Sequence, residues 1–199
     1  LFRETLCNFM KKQIEVEVRG KILDFFKILD FFQKNAKFVE EKDRLSFIYF
    51  REEVKDVSEI KEELVDLRVR ITNKKAEIAM KYGKWGSEES RKEFLFPILN
   101  ESFGLALDFF KCLGWDKGVI MDTKTFVFNY KGIEFALVNS GEYFYFEAEI
   151  LVDSPKEVEK SMEKIKGVCS FLKLDIFNED EFISLINSLN SRKDRLFDM

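Results

Sequence analysis

Glu15, Glu17 and Arg19 stand at alternate positions of one short segment, Arg68 and Arg70 do the same in a second, and Glu147 and Glu149 in a third. In an extended chain, residues i and i+2 point the same way, about 6.5–7 Å apart. Each segment therefore presents its charged groups side by side, and Lys81 adds a base from a fourth. Carboxylates so spaced can hold hard divalent cations, while Arg and Lys clamp phosphate oxygens through charge-assisted, partly bidentate bonds. If a sheet closes with these faces inward, the result is a polar tunnel suited to a triphosphate bridged by metal ions. The same alternation also describes the wet face of any half-exposed sheet, and a Glu-x-Glu-x-basic string is common in a sequence this charged.

Composition narrows the chemistry. With no histidine, the chain can build neither a Ser-His-Asp nor a Cys-His catalytic unit, and it offers no imidazole to zinc. Any bound metal must rest mainly on carboxylates, which favours magnesium or manganese. Cys7, Cys112 and Cys169 are odd in number, far apart and in no Cys-x-x-Cys pair, so they read as buried or incidental thiols. A net charge of −4, with Lys and Arg spread along the chain, argues against a footprint on duplex nucleic acid. No window approaches the roughly 18 apolar residues of a membrane span, and no basic region leads into an apolar run at the N-terminus. The expected setting is the cytoplasm, with no membrane partner.

The elements that must position these groups are legible from periodicity. Residues 13–19 alternate strictly, with Ile14, Val16 and Val18 on one face, and predict a strand. Ile22, Phe25, Phe26, Leu29 and Phe32 recur at helical spacing over residues 21–34. Residues 45–51 predict a second strand, and residues 58–64 a short helix capped by Ser58. Residues 65–72 and 77–82 read as a hairpin turning at Asn73-Lys74, followed by a strand at 91–96 and a helix over 101–113 closing at Gly114. Residues 117–130, 133–139 and 142–152 suggest an antiparallel meander. Ser154, Pro155 and Glu157 open a helix reaching about Leu172, and residues 180–190 form a final amphipathic helix. No linker divides the chain, so one domain is expected over residues 10–199, with a start at Met10 and residues 1–9 as an upstream extension. Seven or eight strands with connecting and C-terminal helices make an α+β fold dominated by an antiparallel sheet.

Several of these segments, in order, resemble one family. Met10-Lys-Lys-Gln-Ile-Glu-Val-Glu-Val-Arg-Gly is similar to the opening Glu-x-Glu-x-Lys strand of CYTH-domain proteins, the triphosphate tunnel metalloenzymes. Leu67-Arg68-Val69-Arg70 resembles their Leu-Arg-Ile-Arg strand, Ala79-Met80-Lys81-Tyr82-Gly83 their Thr-x-Lys-Gly strand end, and Arg91-Lys92-Glu93 their Arg-x-Glu element. Residues 103–115 are similar to the helix ending in Leu-Gly-aromatic, and residues 141–149 to the late Gly-x-Phe-x-Glu-Ile-Glu strand. The likeness spans roughly residues 10–190.

The resemblance implies a closed or nearly closed antiparallel β-barrel of about eight strands whose tunnel holds a triphosphate or nucleotide with magnesium or manganese. Carried over by position, Glu15, Glu17, Glu147, Glu149 and Glu93 would ligate metal, and Arg19, Arg68, Arg70, Lys81 and Lys124 would bind phosphate. Three departures stand out. Arg19 replaces the usual lysine, Asp122-Thr123-Lys124 offers one base where the family has Lys-x-Arg, and Leu137-Val138-Asn139 stands where Leu-Asp is expected. The implied activity is metal-dependent hydrolysis of an inorganic or organic triphosphate. The alternatives are cyclisation, as in class IV adenylyl cyclases, or a degenerate tunnel that binds polyphosphate or nucleotide without turnover. A homodimer is compatible with the sequence.

Overall fold

The computed structural model describes residues 14–50, 63–84, 92–141 and 143–199. The expected extension at residues 1–9, the expected start at Met10 and most of the helix expected at 58–64 lie outside them. The strict alternation becomes β1 (Ile14–Lys21). α1 (Phe25–Asn35) begins later than its apolar spacing suggests, because Asp24 caps it by accepting from the Lys27 N–H at 3.1 Å. Phe25 and Phe32 are buried, whereas Phe26, counted with that apolar face, is 74% exposed.

β2 (Lys37–Phe50) reaches well back beyond the expected residues 45–51. Its first half carries charge on both faces and so shows no alternation, yet it pairs with a later strand along its length. β3 (Glu63–Thr72) and β4 (Lys75–Lys84) form the expected hairpin, turning at Asn73 and Lys74 with φ of 48° and 66°, as a type I′ turn requires. After β5 (Lys92–Pro97) come a 3-10 turn and α2 (Phe103–Cys112). The meander is β6 (Lys117–Tyr130), β7 (Ile133–Asn139) and β8 (Phe144–Val152). Ser154 caps a 3-10 turn instead of an α-helix, and α3 (Val158–Leu172) follows it. Then come β9 (Asp175–Ile176), α4 (Glu179–Asn190), held at its start by a capping box between Asn178 and Glu181, and β10 (Leu196–Asp198). β9 and β10 are too short to carry a period, which is why the sequence does not reveal them.

The architecture is α+β: one large antiparallel sheet ordered β5-β4-β3-β2-β6-β7-β8-β1-β9, with β10 paired to β6, and four helices. Full closure is not observed. Among the described residues no ladder joins β5 to the far edge, because β9 takes the free side of β1 at Gly20 and Lys21. Glycine is required there: a Cβ on Gly20 would collide with the Asp175 carbonyl oxygen and the Phe146 ring.

Three of the helices, α1, α2 and α3, cover one face of the sheet. α1 and α3 pack on Val16, Val18, Phe128, Phe135, Leu137 and Phe146, and α2 uses Ala106 and Phe110 against Tyr49, Leu67 and Val69. Phe32, Phe128, Phe135 and Phe146 are at most 1% exposed, and each contributes about 1.5–3 kcal/mol by leaving water. Alternate residues of the same strands, the charged ones, must point to the other face.

Candidate functional site

The β1–β8 register sets Glu17 opposite Glu149 and Arg19 opposite Glu147, and the β7–β8 register sets Glu134 opposite Glu149. Three carboxylates therefore stand in one row across β1, β8 and β7. Like charges directly opposite one another are destabilising, and Arg19 partly relieves them. It donates from Nη2 to Glu17 Oε2 at 2.7 Å and from Nε to Glu147 Oε1 at 3.0 Å. Burial opposes the Arg19 charge, but Glu147 and Glu17 outweigh it and hold the guanidinium above its ordinary pKa. The Phe182 ring of α4 lies 5.2 Å from that guanidinium.

Glu17 nevertheless pays for its position. Burial pushes its carboxyl up to about 7, Glu147 and Glu149 add to the rise, and Arg19 and Lys81 oppose it. Because Arg19 is shared with Glu147, the ion pair does not overcome desolvation. Glu149 is raised too, first by burial and then by Glu15, Glu134 and Glu147.

Bases gather on β2, β3 and β4. Arg68 forks onto Asp66, with Nε to Oδ1 at 2.8 Å and Nη2 to Oδ2 at 2.7 Å, and Asp66 outweighs burial to raise its pKa. Arg70 donates from Nε to Glu77 Oε1 at 2.7 Å, and its Nη2 lies 3.8 Å from Glu93 Oε1. Arg44 joins them from β2, donating from Nε to Thr72 Oγ1 at 2.8 Å. Burial, then the neighbouring Arg70 and Arg68, lower the Arg44 pKa. Lys81 is the cross-strand partner of both Asp66 and Glu93.

These two groups face each other. β4 and β1 are six steps apart in the strand order, which in a flat sheet would separate them by about 29 Å, well beyond screened electrostatic range. Yet Glu17 on β1 feels Lys81 on β4, and Arg68 on β3 feels Tyr145 and Glu147 on β8. The sheet must curl so that its charged face lines a trough.

Of the residues singled out by sequence, Glu15, Glu17, Glu147, Glu149, Arg19, Arg68, Arg70 and Lys81 share that face. Glu93 is there as well, on the basic side beside Lys81 and Arg70. Lys124 is not. Its parity matches Phe126 and Phe128, which pack in the core, and its Nζ bonds Glu41 Oε1 at 2.8 Å on the outer face. Arg44, Glu134 and Tyr145 were missed by sequence reasoning. Counting back in twos from Ser46 would have found Arg44, and the partner of Glu149 in the β7–β8 hairpin would have found Glu134. Among the described residues, no three acidic side chains already converge as a metal-ligand group.

No family model and no curated protein sequence matches this chain. Solved structures do resemble it. A conserved hypothetical protein from Pyrococcus furiosus is 26% identical with a TM-score of 0.61, over 84% of this chain and 93% of its own. A candidate adenylate cyclase from Vibrio parahaemolyticus is 14% identical with a TM-score of 0.63, over 86% of this chain and 98% of its own. The candidate adenylyl cyclase HpAC1 from Hippeastrum, described as having a dominant triphosphatase activity, is 12% identical with a TM-score of 0.59, over 92% of this chain and 98% of its own. The likeness establishes a shared fold. Among the described residues, no helix is long and apolar enough to cross a membrane.

Proposed function

We propose that the trough binds a triphosphate with magnesium or manganese and hydrolyses its terminal anhydride. The observation that carries this reading is the opposition of the Glu17–Glu149–Glu134 row to Arg44, Arg68, Arg70 and Lys81 within one curled sheet. A purely structural charge network would pair each acid with a base. Here acids adjoin acids and Arg44 adjoins two other guanidiniums, which suits a ligand carrying both cations and phosphate oxygens.

The donor set fits a hard divalent ion: it is all oxygen, partly desolvated and mutually repelling. Glu15, Glu17, Glu147 and Glu149 would hold it, with Glu134 beside them. When bound, such an ion neutralises phosphate charge and polarises water for attack on phosphorus. Arg68 and Arg70, aimed by Asp66 and Glu77, orient the phosphate chain, and Arg44 and Lys81 offset its remaining charge. In the reaction the water oxygen would bond to the terminal phosphorus as the bridging P–O bond breaks, the diphosphate leaving with that electron pair and the water giving up a proton to solvent.

Hydrolysis is favoured by the triphosphatase activity described for HpAC1; cyclisation is the second reading, supported by the adenylate cyclase descriptions of the structural neighbours. Incubation with tripolyphosphate or ATP and either metal distinguishes the outcomes. Orthophosphate release lost in Glu15→Ala supports hydrolysis, and pyrophosphate with a cyclic nucleotide supports cyclisation. Stabilisation by the triphosphate without any product supports a binding module, and neither product nor stabilisation overturns the reading.

A further inference from the structure

Tyr145 lies on the same face of β8 as Glu147 and Glu149, while its neighbours Phe144 and Phe146 pack into the core. Its cross-strand partners are Lys21 on β1 and Val138 on β7. Glu147, Arg19, Arg68 and Arg44 all act on its hydroxyl, so it stands where the acidic and basic sides of the trough meet. Guanidiniums nearby already have partners: Arg19 holds Glu17 and Glu147, Arg68 holds Asp66, and Arg44 holds Thr72. The Tyr145 side chain makes no hydrogen bond among the described residues. A half-buried phenol among so many polar groups would ordinarily find one.

We propose that the Tyr145 hydroxyl is a ligand contact, donating a hydrogen bond to a non-bridging oxygen of a linear polyphosphate lying between the two charged walls. The inference rests on the triphosphate reading and adds to it a neutral donor at the centre of the chain. A neutral O–H adds no charge to an already crowded set of cations, and it is a directional donor that a bare alkyl or phenyl wall lacks. Phenylalanine would keep the ring and its packing while deleting only that donor. Since the hydroxyl has no hydrogen-bond partner among the described residues, the deletion should leave the unliganded fold as stable as before.

Calorimetric titration of the protein with magnesium tripolyphosphate, for wild type and Tyr145→Phe, tests the contact. Affinity three- to tenfold weaker in the variant, at unchanged melting temperature without ligand, is the expected result, on the order of one lost neutral hydrogen bond. Equal affinities overturn this inference while leaving the triphosphate reading intact. No binding to wild type overturns both.

Discussion

Glu17 and Glu149 are direct cross-strand partners, and burial holds both carboxyls above their ordinary range. A sheet that places two acids side by side on a desolvated face has a fold-stability cost built into it, and the sign of that cost can be measured. Glu17 shifts from 4.5 to about 7, so folding favours its protonated form. The cost is absent below pH about 4.5, grows through the interval and is complete above about 7. Glu17→Gln should therefore match wild type near pH 4 and exceed it by roughly 1–3 kcal/mol near pH 8 in chelator, as read by urea denaturation. A variant less stable than wild type near pH 8 would contradict the assignment.

Asp66 is 8% exposed and accepts two hydrogen bonds from Arg68. Asp66→Ala leaves that guanidinium without its fork, and the expected loss is about 1.5–3 kcal/mol of stability. Phosphate affinity should fall as well, since Arg68 is no longer aimed. Thermal melts with and without tripolyphosphate check both effects; an unchanged melting temperature would show that the fork contributes nothing.

The register of β2 and β6 makes a paired prediction. Arg44 faces the trough, while Lys124 faces outward and bonds Glu41. Arg44→Gln should weaken tripolyphosphate binding by about tenfold or more, the worth of one charged hydrogen bond, and Lys124→Gln should leave it unchanged. The opposite ranking would mean that β6 is out by one residue, which flips every side chain to the other face.

Most of this arrangement could be read from the sequence wherever one face of a strand is apolar. β1 and the β3–β4 hairpin alternate cleanly, so their parity and hence the facing of Glu15, Arg68 and Lys81 follow. Residues 37–44 carry charge on both faces, so neither the strand nor Arg44 announces itself. Lys124 shows the converse error. Residue type alone matches it to the family's basic strand, although Phe126 and Phe128 two and four positions on already fix its face. Curvature follows from no single segment's period and is expected only through the family resemblance, since it builds up from strand twist over elements far apart in the chain. The acidic row was half visible: Glu147 and Glu149 share a strand, but Glu134 joins them only through the ladder.

A crystal structure of the protein grown with manganese and a non-hydrolysable tripolyphosphate analogue examines the proposed chemistry at its source. The account predicts anomalous manganese density within ligating distance of Glu17, Glu147 or Glu149, with the phosphate chain running on toward Arg68 and Arg70. Manganese and phosphate density at separate surface positions, or a trough holding neither at saturating concentration, would contradict it.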